Sequence, residues 1–256
     1  MNTWNPALYL KFGAERTRPA ADLLARVPLE APKRIVDLGC GPGNSTALLR
    51  ARYPHAEIIG LDSSQAMLDE AAASGVAARW LLGDLDTWAP DAPVDLIYAN
   101  AAFHWSADIF ALITRLMGCL KPGGVLAYQV PFNADQPCYT EVRAAADLPR
   151  WAGKLASVTQ YQLGAAEDHV RALAPLAAHT DVWTARYIHI LAGADAAYRW
   201  SESTGVRPFL DALPAEEREA FAAELKARFA RFYPQDSDGR TLFAFRRLFA
   251  VAIRPA

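Results

Sequence analysis

The feature that most constrains the fold is a short apolar segment that leads into three alternating glycines, RIVDLGCGPGNS at residues 34–45. Its apolar and β-branched residues predict a buried strand, and a helical pattern begins at Asn44. Between them lie Gly39, Gly41 and Gly43. A strand that passes through glycines into a helix brings backbone N–H groups and the positive end of the helix dipole close to a ligand. The segment therefore predicts an α/β fold with a ligand site at the end of this strand.

Two acidic residues indicate which kind of ligand this site binds. The dinucleotide fingerprint G-x-G-x-x-G, counted from Gly39, needs a glycine where Asn44 stands, so an NAD(P)-linked oxidoreductase is disfavoured. Asp37, at the end of the strand and facing the loop, would repel a pyrophosphate and attract an ammonium group. Asp62 follows the next strand, about 20 residues beyond the glycines, where a carboxylate can accept both hydroxyls of a ribose.

Strands and helices alternate five times between the first strand and residue 130, which predicts a parallel sheet with helices on both faces. Further strands are predicted at 182–191 and 240–254, helices at 166–178 and 194–213, and a turn at 121–124 before the fifth strand. The expected fold is α/β, a Rossmann-like sheet of seven mostly parallel strands with a helical cap. A length of 256 residues favours one domain, within which we expect a helical lid at 1–28 and cap insertions at 133–165 and 193–235.

Composition and charge narrow the classes of partner. The formal net charge of −2 argues against a nucleic-acid partner, which usually requires a basic surface. No apolar run approaches the roughly 20 residues of a membrane span, and the N-terminal MNTWNPALYLKF is not typical of a secretory signal. The three cysteines lack metal-ligand spacing, which predicts free thiols in a reducing compartment and no metal site. We expect a cytoplasmic protein, monomeric or weakly homo-oligomeric, that binds neither nucleic acid nor a membrane.

The pattern D-x-G-x-G-x-G at Asp37, with the acid after the second strand, resembles motif I of the class I S-adenosylmethionine-dependent methyltransferases. Longer segments resemble the trans-aconitate methyltransferase family of that class: WNPALYLKF, VDLGCGPGNSTALL, LDSSQAML, STGVRPFL and FAFRRLFAVAIR. The resemblance implies transfer of a methyl group from S-adenosylmethionine to a carboxylate of trans-aconitate or a closely related small polycarboxylate. The products would be the methyl ester and S-adenosylhomocysteine. The family more often has Gln where this chain has His104.

The resemblance, combined with the predicted strand ends, implies which residues hold the cofactor. Asp62 would accept from the ribose and Asp84 from the adenine amino group, while Asn100 would hold the amino-acid end through its backbone carbonyl. Met67 is either a core residue or an adenine contact, and Asp86 is interpreted as a solvated turn residue. The cofactor-binding candidates are Asp37, Gly39, Cys40, Gly41, Asn44, Ser45, Asp62, Ser63, Met67, Asp84, Leu85, Asn100 and Ala101.

The acceptor implied by the resemblance needs positive charge but no general base. A carboxyl group with a pKa of about 4 is already ionised at neutral pH, so no residue is expected to abstract a proton. Arginine pairs with carboxylates through two parallel hydrogen bonds. Arg246 and Arg247 are neighbours in a predicted strand, so at most one of them enters the pocket. The substrate-binding candidates are Tyr9, Arg16, His104, Trp105, Trp200, Arg207 and Arg246, with His104 as a hydrogen-bond donor.

Two other functions stay open at the level of sequence. The chain could methylate another small molecule, such as a phenol or an amine, with His104 as the general base. The rate would then depend on pH near 6–7, the range in which an ordinary histidine titrates. Alternatively, it could bind S-adenosylmethionine without catalysing a transfer.

Overall fold

The computed structural model describes residues 13–202 and 204–256, with side chains described from residue 17 onward. Within this part of the chain, the strands are β1 (Arg34–Leu38), β2 (Glu57–Asp62), β3 (Arg79–Leu82), β4 (Val94–Asn100), β5 (Leu120–Pro131), β6 (His179–Ala192) and β7 (Arg240–Ile253). They form one sheet in the order β3-β2-β1-β4-β5-β7-β6.

The helices of the described residues are α1 (Gly13–Ala25), α2 (Asn44–Arg52), α3 (Gln65–Ala73), α4 (Ile109–Gly118), α5 (Pro137–Ala146), α6 (Ala152–Leu155), α7 (Ala166–Leu173), α8 (Ala196–Glu202), α9 (Arg207–Ala212) and α10 (Ala215–Phe232). Short 3₁₀ turns lie at Phe103–Trp105 and Ala174–Leu176. Local sequence explains several of these boundaries. The side chain of Asp108, for example, caps α4 by accepting hydrogen bonds from the N–H groups of Phe110 and Ala111, at 2.9 and 3.1 Å.

Strands β1 to β5 pair in parallel, whereas β7 runs antiparallel to β5, with Val125 opposite Ile253 and Pro131 opposite Arg247. The residues of β1 and β4 are almost all buried, as expected of central strands that are covered on both faces. This topology confirms the predicted Rossmann-like sheet of seven mostly parallel strands. Because parallel strands end at the same edge of the sheet, the loops that follow β1, β2, β3 and β4 lie together there.

The chain divides into two compact units. Among the described residues, the first comprises those up to Pro131 together with Leu163–Ala185 and Arg247–Ala256, and the second comprises Phe132–Gln162 and those between Arg186 and Arg246. The core of the second unit is aromatic. The Trp151 ring meets the Phe221 ring edge-on with centroids 4.9 Å apart, and the Trp200 ring stacks on the His189 ring at 4.5 Å. The lid at 1–28 and the cap insertions at 133–165 and 193–235 stay predictions.

Three predicted boundaries were wrong. The helix predicted at 166–178 ends at Leu173 and gives way to a 3₁₀ turn, because Pro175 has no N–H for an α-helical hydrogen bond. The stretch at 194–213 forms the two helices α8 and α9 rather than one. The turn predicted at 121–124 lies inside β5, whose register with β4 shifts between Val94 and Leu96.

No helix among the described residues has both the length and the apolar composition that crossing a bilayer requires. In the same part of the chain, no group of histidine, cysteine and acidic side chains is arranged to hold a metal ion.

Candidate functional site

The loops at the ends of β1, β2, β3 and β4 enclose a cleft of about 610 Å³. Sites for small molecules usually measure about 300–1,000 Å³, so the cleft has room for a nucleoside-sized ligand. Each of the four loops contributes to its wall. Nine predicted cofactor residues line it: Gly39, Gly41, Asp62, Ser63, Met67, Asp84, Leu85, Asn100 and Ala101.

Three further predicted residues border a second, much smaller cavity. Cys40, Asn44 and Ser45 line a space of about 20 Å³ beside Gly39 and Asn100, which also line the main cleft. This space is about the size that one water molecule needs. The glycine loop thus separates the cleft from a pocket too small for most of a ligand.

Asp37 lines neither space, and its role in cofactor binding stays a prediction. Its side chain is fully buried, and Oδ2 accepts hydrogen bonds from the hydroxyls of Ser45 at 2.7 Å and Thr46 at 2.6 Å. Burial raises the pKa of Asp37 to about 6, although the two hydroxyls act to lower it. Because Ser45 and Thr46 belong to the first turn of α2, Asp37 anchors this turn to the end of β1. The negative charge of Asp37 therefore acts on a ligand over a distance, without a direct contact.

The glycine loop passes against the loop after β4. Gly39 has a φ of +70°, and a Cβ at this position would lie 2.3 Å from the Cβ of Ala102. Both the backbone conformation and the close approach exclude a larger residue. Gly39 therefore lets two walls of the cleft meet.

Asp62 is placed as a hydrogen-bond acceptor in the cleft. Its Oδ2 accepts from the N–H of Gly41 and its Oδ1 from the N–H of Ser64, both at 2.9 Å. Burial raises the pKa of Asp62, and these backbone hydrogen bonds offset part of the rise. Each carboxylate oxygen retains a lone pair. Asp62 thus joins the loops after β1 and β2 and keeps acceptor capacity for a ligand's hydroxyls.

The loop after β4 has an unusual backbone at its start. Ala101 has a φ of +55°, a left-handed conformation that costs a residue other than glycine about 1–2 kcal/mol. Its N–H donates to the carbonyl oxygen of Gln129 at 2.8 Å, which holds this conformation. Asn100 Oδ1 is buried and has no hydrogen-bond partner among the described residues. The side-chain oxygen of Asn100 is therefore available as a hydrogen-bond acceptor where the cleft and the small cavity meet.

The loop after β3 contains a residue whose role the sequence did not reveal. Asp84 is exposed at the cleft, and its Oδ1 accepts from the N–H of Asp86 at 2.8 Å. Asp86 is an exposed turn residue, as interpreted from the sequence, and its carboxylate also accepts from the Ser106 hydroxyl and, at 3.2 Å, from the N–H of Ala107. Asp86 lines the cleft and joins the loops after β3 and β4.

The sequence left open whether Met67 is a core residue or an adenine contact. Its side chain is 4% exposed and belongs to the buried face of α3, yet it also forms part of the cleft wall. The residue is therefore both a core residue and a wall of the site.

The composition of the cleft fits S-adenosylmethionine. Acidic side chains for hydroxyl and amino donors come from Asp62 and Asp84, and an unpaired amide oxygen for an ammonium group comes from Asn100. Gly39 and Gly41 of the glycine loop line the cleft without side chains, which leaves room for the amino-acid end of the ligand. These residues could hold the cofactor.

His104 lies in the 3₁₀ turn after β4 and is only 7% exposed. Burial and the positive charge of Arg247 lower the pKa of His104 to about 3, so the imidazole is uncharged at neutral pH. The His104 and Trp105 rings are 4.9 Å apart. Trp105 was predicted to contact the acceptor, and the structure places it in the wall of the main cleft.

The two adjacent arginines of β7 differ in burial. Arg246, the predicted substrate residue, donates from Nε to the Phe132 carbonyl at 3.0 Å and pairs with Asp135. Arg247 is the buried member, 4% exposed, and donates to Gln129 Oε1 at 3.1 Å. The two neighbours have different surroundings, as predicted for adjacent residues of a strand, and the substrate-binding role of Arg246 stays a prediction. The partner of the buried arginine is the glutamine that interrupts the apolar run AYQVP of β5, a signal that the sequence analysis did not use.

The other substrate candidates of the second unit have contacts that need no ligand. Arg207, at the start of α9, donates from Nε to both carboxylate oxygens of Asp211 at 2.9 Å. Trp200 is 2% exposed within the aromatic core of that unit. Tyr9 lies outside the described residues, as does the side chain of Arg16.

Comparison with known proteins places these features in a family. A family model described as "Methyltransferase domain" matches residues 35–124. Trans-aconitate 2-methyltransferase of Methylobacterium radiotolerans is 49% identical over 256 residues, covering 98% of both chains. The enzyme of the same name from Variovorax paradoxus is 47% identical and covers 100% of both.

Solved structures show the same fold. A S-adenosylmethionine-dependent methyltransferase from Thiobacillus denitrificans, in complex with S-adenosylhomocysteine, superposes with a TM-score of 0.56 at 23% identity. The match covers 99% of this chain and 100% of that chain. At this level of identity, the similarity shows the Rossmann-like architecture.

Proposed function

This chain belongs to the trans-aconitate 2-methyltransferase family, and from this membership we propose that it transfers a methyl group from S-adenosylmethionine to a carboxylate of trans-aconitate. The observation that carries the proposal is the extent of the similarity. The methyltransferase domain model matches residues 35–124, whereas relatives at 42–49% identity match nearly the whole chain. The similarity therefore extends beyond the part that binds the cofactor to the parts that can select an acceptor.

The cofactor contacts that we propose follow the geometry of the cleft. Asp62 accepts hydrogen bonds from the ribose and Asp84 from the adenine amino group, while Asn100 and the glycine loop hold the amino-acid end. Asp37 contributes its negative charge to the attraction of the ammonium and sulfonium groups, and Met67 and Leu85 form apolar walls. S-adenosylmethionine supplies, when bound, a methyl group that is already activated on a sulfonium.

The reaction requires the protein to align the reactants, but it does not require a proton transfer. A carboxylate is ionised at neutral pH, because its pKa is about 4. What remains is to hold the acceptor oxygen in line with the methyl carbon and to exclude water. Orientation of this kind lowers a barrier by about 7–11 kcal/mol at best. The mechanism therefore includes no catalytic base.

The environment of His104 disfavours the alternative in which a phenol or an amine is methylated. That reaction needs a base whose pKa lies near the working pH. Burial and Arg247 lower the pKa of His104 to about 3, so the imidazole is a weak base. An uncharged imidazole can still donate one hydrogen bond, which is the role that we propose for it toward an acceptor carboxylate.

The partner, the location and the oligomeric state that we propose follow from the composition of the chain. The partner is a small-molecule polycarboxylate rather than nucleic acid or a membrane, and the protein is a cytoplasmic monomer or weak homo-oligomer. A net charge of −2 and the absence of disulfides among the described cysteines support this proposal.

A methyl-transfer assay with labelled S-adenosylmethionine tests the function. The acceptor panel holds trans-aconitate, cis-aconitate, citrate, isocitrate and unsaturated dicarboxylates. We expect a base-labile methyl ester of trans-aconitate, formed with a kcat/KM at least about tenfold above that of any other acceptor. Binding of S-adenosylhomocysteine without transfer to any carboxylate would contradict the proposal.

Two variants link this activity to the cleft. Asp62→Ala should weaken S-adenosylhomocysteine binding by roughly 10- to 100-fold, because it removes hydrogen bonds to a charged acceptor. Glu70→Ala is the control, since Glu70 is an exposed carboxylate on α3 that does not line the cleft. Equal affinity of the two variants in calorimetry would count against the assignment of Asp62.

A further inference from the structure

A polar cluster lies beside the cleft in the first unit. Gln129 is fully buried near the end of β5, and Arg247 in β7 is 4% exposed. Gln129 pairs in register with Asn100 of β4, which lines the cleft. His104 contacts Trp105, another residue of the cleft wall, with ring centroids 4.9 Å apart. The cluster of Gln129, Arg247 and His104 is thus adjacent to the proposed cofactor site.

The hydrogen bond between Arg247 and Gln129 determines how the amide is oriented. Arg247 Nη1 lies 3.1 Å from Gln129 Oε1, and a guanidinium can only donate. The amide oxygen must therefore face Arg247, which directs Nε2 away from it as a donor. Gln129 Nε2 is buried and has no hydrogen-bond partner among the described residues. A buried donor of this kind requires an acceptor.

The charge of the cluster indicates which acceptor fits. The buried guanidinium of Arg247 carries a fixed positive charge, which favours an anionic group beside it. The positive charge of Arg247 reaches His104, whose pKa it helps to lower, so the imidazole adds no second charge to the cluster. A cation and an unsatisfied amide donor in one cluster both favour an anionic acceptor such as a carboxylate.

We propose that Arg247 and Gln129 bind a carboxylate of the acceptor, with Gln129 also positioning the guanidinium. The inference rests on the proposed function, since it names the residues that select that acceptor. A carboxylate paired with a guanidinium is a weaker nucleophile, because its negative charge is neutralised. The bound group is therefore a carboxylate that is not methylated. The cluster restricts the enzyme to acceptors with at least two carboxylates.

Arg247→Met removes the charge and keeps an apolar chain of similar length. We expect the KM for trans-aconitate to rise roughly 10- to 100-fold, the effect of losing a hydrogen bond to a charged group. The affinity for S-adenosylhomocysteine, measured by calorimetry, should stay within about twofold, because acceptor and cofactor contacts are separate. Arg240→Met is the matched control, since Arg240 is exposed at the other end of β7 and pairs with Asp238. It should retain the wild-type KM.

If Arg247→Met does not fold, Gln129→Glu provides a second test of the proposal. The new carboxylate would pair with Arg247 in place, so the fold is maintained while the guanidinium is occupied. We expect a comparable rise in the KM for trans-aconitate and weaker calorimetric binding of trans-aconitate to the S-adenosylhomocysteine complex. The thermal unfolding midpoint should not fall.

The outcomes separate this inference from the proposed function. Wild-type methylation of trans-aconitate with an unchanged KM in a folded Arg247→Met or Gln129→Glu variant overturns the inference alone. A raised KM in Arg246→Met with an unchanged KM in Arg247→Met also overturns it. If the wild-type protein binds S-adenosylhomocysteine but does not methylate trans-aconitate, the proposed function fails, and the inference fails with it.

Discussion

At the residue scale, the two acids of the glycine loop have different roles, because one is buried behind the loop and the other lies in the cleft. Asp37 is bonded to the Ser45 and Thr46 hydroxyls, while Asp62 accepts only from backbone N–H groups and retains lone pairs for a ligand. Burial raises the pKa of both carboxyl groups. Two desolvated carboxylates beside one cleft are unfavourable in the empty protein and become favourable when a cation binds.

The charge of Asp37 should make cofactor binding dependent on pH. Its pKa of about 6 means that the carboxylate is charged above pH 6 and loses its charge as the pH falls below that value. Affinity for S-adenosylhomocysteine, measured by calorimetry from about pH 5 to 8, should therefore fall on the acid side of the Asp37 pKa. Asp37→Asn should weaken binding at about pH 7.5 roughly tenfold and flatten the profile.

The Asp37→Asn variant separates the effect of the charge from the effect of the hydrogen bonds that Asp37 accepts. Its amide oxygen can still accept from Ser45 and Thr46, so the first turn of α2 stays anchored. Asp69→Asn, on the exposed side of α3, is the control and should leave both the affinity and the profile unchanged. An Asp37→Asn variant with wild-type affinity would mean that the charge has no part in binding.

At the scale of elements, the site depends on how closely the loops after β1 and β4 approach each other. Gly39 and Gly75 offer a matched pair, with φ values of +70° and +75°. A Cβ at Gly39 would collide with Ala102, whereas a Cβ at Gly75 meets nothing within 4 Å. Each alanine variant bears the left-handed backbone penalty of about 1–2 kcal/mol. The collision is added only at Gly39.

Gly39→Ala should thus lower the free energy of unfolding by about 1–3 kcal/mol more than Gly75→Ala does. It should also abolish S-adenosylhomocysteine binding, which Gly75→Ala should preserve. Urea denaturation and calorimetry measure the two effects. Similar stability and affinity for both variants would show that the loops need not meet as closely as described.

A second element-scale contact fixes α7 to β5. His169 Nε2 lies 2.8 Å from the Leu163 carbonyl oxygen, which can only accept, so this nitrogen carries the proton. Nδ1 therefore accepts from the Tyr128 hydroxyl, also at 2.8 Å. Burial lowers the pKa of His169, so the neutral form is favoured in the folded state. Its contribution to stability is present above about pH 6.5 and is lost as the pH falls through the range in which an unfolded histidine titrates.

Tyr128→Phe should lower the free energy of unfolding by about 1–3 kcal/mol at neutral pH, because it leaves a buried acceptor unsatisfied. The measurement is urea denaturation at a fixed pH above 7. Tyr198→Phe is the control, since the Tyr198 hydroxyl bonds Glu202 at 3.1 Å in a less buried environment. It should change stability by no more than about 0.5 kcal/mol. Equal effects would argue against the buried hydrogen bond.

At the scale of the whole molecule, four loops from the ends of four strands build one cleft, so a ligand there should stabilise the native state. S-adenosylhomocysteine at about 100 times its Kd should raise the free energy of unfolding by about 2.7 kcal/mol. NADH at the same concentration should have no effect, because the carboxylates beside the glycine loop repel its pyrophosphate. Differential scanning calorimetry measures both. Stabilisation by NADH alone would refute the interpretation of the glycine loop.

The sequence by itself determined the parts of the site that depend on short-range geometry. The glycines after β1, the acid after β2 and the alternation of strands and helices follow from local conformational rules. These rules act over a few residues and need no knowledge of distant neighbours. They were sufficient for the Rossmann-like sheet, its ligand edge and most of the cleft wall.

Only the tertiary structure decided which polar side chains are buried and what they contact. Arg247 and Gln129 are 118 positions apart, and Asp86 meets Ser106 across 20 positions. Local rules place Arg246 and Arg247 on opposite faces of β7 but cannot say which face is buried. That choice depends on the strands and loops that pack against β7, because burial and the pairing of charges are properties of the assembled neighbours.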